Sequence, residues 1–272
     1  MKLSVIVSTY NAPKYLDLVL DGLTRQTDSD FECIVADDGS GQETEETVGK
    51  FIKKINLIHS WQEDDGFRLA ASRNRALTTA SGDVIAMLDG DCIPSPFYIE
   101  DIKEMMKRCV DRGWNCYLQG HRVILDDHVS SRIEDADGIF ESRWLARNAN
   151  HLSNIKNAIR FRFPTRPHEE LRGIRGCSMI FRREALHKVN GFDESFEGWG
   201  HEDKDIVLRL QKAGVKRLDV RGRIVIYHLY HEEQDRSAEE ENRELALSSR
   251  SMVAENGIRK LGVITRSQTP QQ

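Results

Sequence analysis

The sequence predicts an α/β fold, with a mostly parallel, doubly wound sheet and flanking helices. Over the first 110 residues, short apolar runs alternate with segments of helical periodicity. Several of the apolar runs end in polar residues, as in "STYN", "ADDGS" and "DGDC". Strands that alternate with helices form parallel sheets, and such sheets bind ligands at the carboxyl ends of their strands. We therefore expect these polar segments to meet in one site.

Strand and helix alternate regularly in the first part of the chain. Nearly continuous apolar runs, typical of strands buried on both faces, predict strands over residues 3–10, 31–40, 55–61 and 83–91. Apolar residues at helical spacing predict helices over 13–27, 45–54, 68–82 and 95–110. Pro13 suits the start of the first helix. Ser95 is expected to cap the last helix, with Pro96 in its first turn.

The pattern becomes less regular after residue 110. We predict a strand over 115–125, a strand running into a helix over 175–186, a helix over 202–213 and a strand over 223–231. Residues 126–175 mix helical signals with an irregular, arginine-rich stretch. Residues 237–257 predict a charged helix, which a frayed tail follows.

Composition limits the class of protein. The chain has 272 residues, of which 39% are hydrophobic and 31% charged, as in ordinary globular proteins. The formal net charge of −5 gives no sign of a nucleic-acid partner. The five cysteines form neither a CxxC pair nor a zinc spacing, so we expect free thiols in a reducing cytosol. The first apolar run is too short for a signal peptide, and no stretch approaches the roughly 18–20 apolar residues of a membrane span. We therefore expect a cytoplasmic protein.

Two acids, Asp89 and Asp91, end one of the buried strands in "AMLDGDCIPSP". In an extended segment the side chains of residues two apart point the same way, so these carboxylates would repel each other. A hard divalent cation such as Mg²⁺ or Mn²⁺ would relieve that repulsion. The alternative is a solvated turn that merely reverses the chain, and the motif alone does not decide between them.

Other strand ends carry groups suited to a nucleotide. Asp37 and Asp38 could accept hydrogen bonds from a ribose hydroxyl or a pyrimidine N–H, or could simply form a turn before a helix. Arg73 could face a diphosphate, or could be an ordinary helix-surface arginine. The chain has neither GxGxxG nor GxxxxGK[ST], so a dinucleotide-binding enzyme and a P-loop NTPase are both unsupported.

A glycine-rich segment, "GFDESFEGWGHEDKD", covers residues 191–205. Trp199 lies between two glycines, which let a sugar approach its indole face, although a core tryptophan is the alternative. Asp203 lies in the first turn of the predicted helix, where it could be a catalytic base or simply cap the helix. His228 and His231 end a later strand and are candidate metal ligands or structural histidines. Residues three apart in a strand point to opposite faces, so we expect only one of the two to ligate a metal.

Four segments taken together, "VIVSTYN", "VADDGS", "ASRNRAL" and "MLDGDCIP", resemble the nucleotide-binding half of a family 2 glycosyltransferase with the GT-A (Rossmann-like) fold. Residues 175–210 resemble the galactosyltransferase-type module of β-1,4-galactosyltransferases and bacterial chondroitin-type polymerases. The resemblance implies a nucleotide-sugar-binding half over 1–112 and an acceptor-binding and catalytic half over 113–235 within one compact domain. An α-rich insertion on the acceptor side and a C-terminal helix and tail over 236–272 complete the expected architecture.

The resemblance also implies roles for individual residues. The implied donor-binding residues are Thr9, Tyr10, Asn11, Asp37, Arg73, Asp89 and Gly90. The implied metal ligands are Asp91, Asp89 and His228, with His231 as a rival to His228. The implied sugar- or acceptor-binding residues are Trp199, Gly200 and His201, and the implied catalytic residues are Asp203 as general base and Glu202 beside it. His201 departs from the family pattern, which usually has a second glycine at this position.

By resemblance, we expect an inverting transfer of a hexose or N-acetylhexosamine from a UDP-sugar to a glycan hydroxyl, with Mn²⁺ or Mg²⁺ as cofactor. Envelope polysaccharide or lipopolysaccharide synthesis is the expected role. One alternative is a catalytically silent nucleotide- or glycan-binding module, against which the intact Asp91, Asp203 and His228 argue. Another is a nucleotidyltransferase, which usually opens with a glycine-rich phosphate loop that "STYNAPKY" lacks.

Residues 143–168 contain no Asp or Glu and carry six Arg or Lys interleaved with apolar side chains. One interpretation is a solvated helix and loop. The other is a surface for an anionic lipid-linked glycan or for membrane headgroups, which would place the protein at the inner face of the cell membrane.

Overall fold

The computed structural model describes residues 1–161, 165–232, 235–248 and 251–260. Within them the strands are β1 (Leu3–Thr9), β2 (Glu32–Asp37), β3 (Leu57–Trp61), β4 (Val84–Asp89), β5 (Cys92–Pro94), β6 (Cys116–Gln119), β7 (His121–Leu125), β8 (Leu152–Ser153), β9 (Ser178–Arg182), β10 (Lys216–Asp219) and β11 (Val225–His228). The α-helices are α1 (Pro13–Thr24), α2 (Gln42–Gly49), α3 (Leu69–Thr79), α4 (Tyr98–Asp111), α5 (Asp127–Ser130), α6 (Ser142–Arg147), α7 (Arg183–Lys188), α8 (Glu202–Lys212) and α9 (Glu239–Ser248).

The main sheet has the strand order β10-β6-β9-β4-β1-β2-β3. Its pairings are parallel except for β9, which runs antiparallel to both β4 and β6. Side chains of β1 alternate between two apolar cores, with Val5 in one core and Ile6 in the other. Burial on both faces is why the centre of β1, Val5 to Val7, is continuously apolar, while the buried Ser4 hydroxyl donates a hydrogen bond to Glu32. The predicted α/β class with a mostly parallel sheet is confirmed.

The predicted strand over residues 115–125 is wrong as a single element. It is two strands, β6 in the main sheet and β7 in a second sheet of order β5-β11-β7-β8. The chain changes sheets at Gly120, where an added Cβ would lie 2.4 Å from Ser178 Oγ and 2.9 Å from Ile224 O. Only glycine fits so close an approach, because any side chain would collide with backbone on one side.

Two predicted helix starts also differ from the structure. Helix α4 begins at Tyr98, so Ser95 does not cap it with its side chain; instead the Ser95 carbonyl accepts a hydrogen bond from Tyr98 N at 2.9 Å. Helix α2 begins at Gln42 and ends at Gly49, earlier than the apolar spacing predicted. The charged C-terminal helix is confirmed over Glu239–Ser248, and the predicted tail over 261–272 lies outside the described residues. Across the described part of the chain, the helices are too short or too polar to cross a membrane.

The sheet register brings polar strand ends together. Thr9 at the end of β1 pairs with Asp37 at the end of β2, and Ser8 pairs with Asp89 at the end of β4. Strand β9 runs the other way, so the residues that precede it lie at this same edge, where Asp89 N donates a hydrogen bond to Cys177 O. The candidate site is built along this edge.

Candidate functional site

The turn between β4 and β5 presents Asp91. Gly90 makes the turn possible, because an added Cβ would lie 2.4 Å from Ser8 O. Strand β11 lies beside the turn: His228 pairs with Cys92, and Leu229 N donates a hydrogen bond to Asp91 O at 2.9 Å. The second sheet therefore carries the end of β11 to the acid motif of β4.

Asp91, His228 and His231 form a three-residue cluster, whose side-chain donor atoms all lie within 4.8 Å of one another. Asp91 Oδ2 lies 3.2 Å from His231 Nε2 and 3.8 Å from His228 Nε2. Burial lowers the pKa of His228, which favours the neutral imidazole that a metal requires. Both histidines face the acid, because the strand ends at His228 and His231 lies beyond it, outside regular strand geometry. That only one of them ligates a metal stays a prediction.

Asp89 points elsewhere. Its Oδ1 lies 2.9 Å from Arg73 Nη2, and among the described residues it does not belong to the cluster around Asp91. The expectation that two carboxylates of one extended segment face the same way does not hold, because Gly90 and Asp91 form a turn. The role of Asp89 as a second metal ligand stays a prediction.

Arg73 links the acid at the end of β4 to the first turn of α8. Its guanidinium is 1% exposed and contacts Asp89, while Nη1 lies 3.1 Å from Glu202 Oε1 and Nε donates to Ser8 Oγ at 3.2 Å. Burial and the neighbouring Asp203 raise the pKa of Glu202 to about 7, and the guanidinium of Arg73 opposes that rise. Burial likewise raises the pKa of Asp89 against the pull of Arg73.

The helix that carries Arg73 also holds the glycine-rich segment. Asn74 Nδ2 donates to Phe192 O at 2.9 Å, and Phe192 N donates back to Asn74 Oδ1 at 2.9 Å. The Arg73 guanidinium carbon lies 5.3 Å from the Phe192 ring centroid. "SRNR" and "GFDE" are thus one structural unit, although 118 residues separate Asn74 from Phe192. The sequence showed both motifs but carried no signal of their contact.

Asp203 lies half-buried in the first turn of α8, one residue after Glu202. It lies against the segment before β9: a Cβ added at Gly176 would lie 3.7 Å from Asp203 Oδ2 and 3.9 Å from Arg73 Nη2. The two adjacent acids therefore differ in environment. Glu202 pairs with a buried arginine, whereas Asp203 lies beside Gly176.

Trp199 is half-buried and covered by the C-terminal segment. The Arg236 guanidinium carbon lies 4.7 Å from the Trp199 ring centroid, and Asn242 of α9 donates to the carbonyls of Glu197 and Trp199. Gly200 has φ +106°, and His201 has φ +70°. A left-handed conformation strains a histidine, whereas the glycine that the resemblance predicts at this position would adopt it freely. No local sequence pattern predicted that the tail contacts Trp199.

Some of the predicted donor-binding residues have exposed side chains, and others are buried. Asp37 is fully buried, accepting a hydrogen bond from Ser40 N and contacting His59 Nε2, each at 2.8 Å. Tyr10 is 44% exposed, and its hydroxyl donates to Asp64 Oδ2 at 3.0 Å. Asn11, at φ +45°, accepts a hydrogen bond from Gly41 N. The Thr9 hydroxyl is buried without a partner among the described residues. Tyr10 is therefore an exposed aromatic side chain at this edge, and its role in donor binding stays a prediction.

Several side chains of the arginine-rich segment over 143–168 form ion pairs or pack against the core instead of lying free in solvent. Arg160 pairs with Glu100 and Asp101, and its guanidinium carbon lies 4.0 Å from the Phe97 ring centroid. Trp144, Leu145 and Ile155 pack against the core, whereas Ile159 is 65% and Phe161 58% exposed. Residues 162–164 of this segment lie outside the described residues.

This sheet, with its acids and arginine at the strand ends, has the architecture of the GT-A fold. Residues 4–113 match the family model described as "Glycosyl transferase family 2", and residues 158–232 match "N-terminal domain of galactosyltransferase". The chain therefore carries a family 2 glycosyltransferase domain joined to a galactosyltransferase-type segment.

Curated relatives are similar along most of this chain. Chondroitin synthase of Escherichia coli is 28% identical over 253 residues, which cover 85% of this chain and 34% of the relative. Chondroitin synthase of Pasteurella multocida is 30% identical over 261 residues, which cover 90% of this chain and 26% of the relative. The chain thus spans about a quarter to a third of the length of these relatives.

Solved structures share the fold. The structure of Staphylococcus aureus TarS residues 1–349 in complex with UDP aligns with a TM-score of 0.65 at 20% identity, over 90% of this chain and 64% of that chain. The mannosyltransferase PcManGT of Pyrobaculum calidifontis, in complex with GDP-Man and Mn²⁺, aligns with a TM-score of 0.58 at 19% identity, over 90% and 61% of the two chains. At this level of identity the likeness concerns the fold.

Proposed function

We propose that the chain is a metal-dependent, inverting glycosyltransferase that moves a hexose or N-acetylhexosamine from a UDP-sugar to a hydroxyl of a glycan acceptor. The observation that carries the proposal is the convergence of Asp91, His228 and His231 beside the Asp89–Arg73–Glu202 bridge. TarS, which shares the fold, binds UDP, and the related chondroitin synthases are named for a glycan product, both of which support the proposal.

The cluster fits a divalent cation. One carboxylate and two imidazoles, all within 4.8 Å of one another, form a donor set of the kind that transition-metal ions bind. Asp91, His228 and His231 would hold the ion, which would neutralise charge on the diphosphate leaving group. Two imidazoles favour Mn²⁺ over Mg²⁺, because Mg²⁺ prefers oxygen ligands. PcManGT, of the same fold, was solved with Mn²⁺.

Asp203 is proposed as the general base. In a single displacement, the acceptor oxygen bonds to the anomeric carbon, the bond from that carbon to the diphosphate breaks, and the hydroxyl proton passes to the Asp203 carboxylate. Attack opposite the leaving group inverts the anomeric configuration. Glu202, whose pKa is about 7 and which pairs with Arg73, serves instead to hold Arg73 toward the donor side. Trp199, Gly200 and His201 are proposed to contact the sugar.

A cytoplasmic role in envelope polysaccharide synthesis, at the membrane surface, is part of the proposal. The exposed Ile159 and Phe161, within a segment that lacks acidic residues, support contact with anionic headgroups. The chain is expected to sediment with vesicles that contain an anionic lipid and to remain in solution with purely neutral vesicles. Equal sedimentation with both would contradict membrane contact through this segment.

A panel of nucleotide sugars, assayed by release of the free nucleotide, tests the transfer activity. With Mn²⁺ present, we expect slow hydrolysis of one UDP-sugar in the absence of acceptor, and EDTA should stop it because the diphosphate then leaves without charge neutralisation. GDP-mannose, which carries guanine in place of uracil, is the negative control and should not be hydrolysed. If no nucleotide sugar is bound or turned over, the chain is not a glycosyltransferase. Binding of a nucleotide sugar without any turnover would favour the catalytically silent module.

A further inference from the structure

The backbone between the two histidines of the candidate metal site is irregular. Strand β11 ends at His228, and His231 lies three residues further on. Residues three apart in a regular strand point to opposite faces. Both imidazoles nevertheless reach Asp91, at 3.8 Å and 3.2 Å, and their ring centroids lie 5.2 Å apart. Contacts from elsewhere in the protein must therefore hold Leu229 and Tyr230 in a conformation that redirects His231.

Side chains from two other elements bind the backbone of Tyr230. The Tyr15 hydroxyl, in the first turn of α1, donates a hydrogen bond to Tyr230 O at 2.9 Å. Tyr230 N in turn donates to the hydroxyl oxygen of Ser130, the last residue of α5, at 2.8 Å. Beyond the end of β11, these two hydroxyls thus supply the main-chain hydrogen bonds that a neighbouring strand supplies within a sheet.

Side-chain packing fixes only the start of this segment. The Leu229 side chain is fully buried, but that of Tyr230 is 45% exposed. The His231 ring is half-buried, and its Nδ1 lies 2.8 Å from the carbonyl oxygen of Glu232. Because a carbonyl oxygen only accepts hydrogen bonds, Nδ1 carries a proton, and in the neutral ring Nε2 is the nitrogen that can ligate a metal. The direction of Nε2 therefore depends on where the backbone of residues 230–232 is held.

Tyr15 is a suitable donor for this purpose. Its side chain is half-buried against the core. Burial and the nearby carboxylate of Asp91 raise the pKa of Tyr15, so its hydroxyl keeps the proton that it donates. Tyr15 lies 215 residues and Ser130 lies 100 residues from Tyr230 along the chain, so no local sequence pattern could have indicated either contact.

We propose that Tyr15 and Ser130 are positioning residues of the metal site. By fixing the backbone of Tyr230, they direct the His231 imidazole at Asp91. This inference rests on the metal-dependent function proposed above. Without the two hydroxyls, the segment beyond β11 loses both of its side-chain partners, and the ion is left with one imidazole fewer. Since imidazole ligands favour Mn²⁺ over Mg²⁺, the affinity for Mn²⁺ should fall more than the affinity for Mg²⁺.

Titration of Mn²⁺ into the full chain, followed by electron paramagnetic resonance, tests the proposal without any catalysis. Tyr15→Phe and Ser130→Ala should each weaken Mn²⁺ binding by about 10- to 100-fold, the usual effect of losing a group that orients a metal ligand. Ser130→Thr keeps a hydroxyl and should retain most of the affinity. Tyr117→Phe, which removes a fully buried hydroxyl from β6 in the main sheet, should bind Mn²⁺ like the unmodified chain.

A double-mutant cycle with His231→Ala separates positioning from a general loss of structure. If Tyr15 acts through His231, Tyr15→Phe should change the Mn²⁺ affinity by less than about twofold once His231 is already alanine. The electron spin echo of bound Mn²⁺ gives a second readout, because its nitrogen modulation reports imidazoles on the ion. In Tyr15→Phe the depth of this modulation should fall to that seen in His231→Ala.

Two results would overturn the proposal and leave the metal site standing. In one, Tyr15→Phe and Ser130→Ala bind Mn²⁺ as tightly as the unmodified chain. In the other, Tyr15→Phe costs the same affinity with His231 present as with His231 replaced. A spin echo that shows a single imidazole in the unmodified chain would also overturn it, because His231 would then not ligate. Failure of the unmodified chain to bind Mn²⁺ would refute the metal-dependent function itself, and this inference with it.

Discussion

Asp203→Asn is expected to lower the rate of sugar transfer by a factor of about 10² to 10⁴, the usual contribution of a general base, and to leave the affinity for UDP unchanged. The amide keeps the size and half-buried position of the side chain in α8 but cannot accept the proton of the acceptor hydroxyl. Measured transfer from the preferred UDP-sugar, alongside calorimetric titration of UDP, gives both quantities.

The control for this experiment is Asp111→Asn, an acid-to-amide change at the exposed end of α4 that should leave both quantities unaltered. A fall in UDP affinity that matches the fall in rate would place Asp203 in the donor site instead. A rate within about tenfold of the unmodified enzyme would remove it from the reaction altogether.

Arg73→Ala should produce the largest loss of stability among single changes at the site. The buried guanidinium faces Asp89 and Glu202, and its removal leaves two partly buried carboxylates without a counter-charge. Breaking a buried ion pair from one side costs about 3–5 kcal/mol. The loss should be greater at pH 8 than at pH 5, because Glu202, with a pKa of about 7, carries its proton at the lower pH and then needs no cation.

Urea denaturation at the two pH values measures this loss, and Arg75→Ala provides a matched control. Arg75 lies on the same helix, two residues further on, with an exposed side chain, so its removal should cost less than about 0.5 kcal/mol. Equal losses in the two variants, or a loss for Arg73→Ala that does not depend on pH, would show that Arg73 does not compensate the two acids.

The sequence predicted the sheet and the residues at its edge because those features are local. A buried parallel strand is largely apolar and becomes polar where it leaves the core. The polar segments "STYN", "ADDGS" and "DGDC" therefore indicated where their strands end. The register Thr9–Asp37 and Ser8–Asp89 follows from strands of similar length that lie side by side. Strand length and periodicity thus predicted a shared edge, and the structure supplied the strand order and register.

Long-range contacts could not be predicted in the same way. Apolar residues at 116–118 and 123–125 lie on either side of the segment that contains Gly120, which resembles one continuous strand. The close approach of Ser178 and Ile224 to Gly120 becomes visible only in the fold. The contact of Asn242 with the Trp199 carbonyl depends on how the tail returns to the body of the protein. The turn at Gly90 separates Asp89 from Asp91, which regular strand geometry would have kept together.

Binding of Mn²⁺, followed by electron paramagnetic resonance in the presence of UDP, tests the central claim most directly. The free Mn²⁺ signal should fall until one ion is bound per chain, and Asp91→Asn or His228→Ala should restore most of it, because each removes one of the three converging ligands. His151→Ala, a histidine that pairs with Asp126 away from the cluster, should bind the ion like the unmodified chain. Two results would contradict a metal-dependent transferase built on Asp91, His228 and His231. In one, adding the protein with UDP leaves the free Mn²⁺ signal unchanged. In the other, Asp91→Asn restores the free Mn²⁺ signal no more than His151→Ala does.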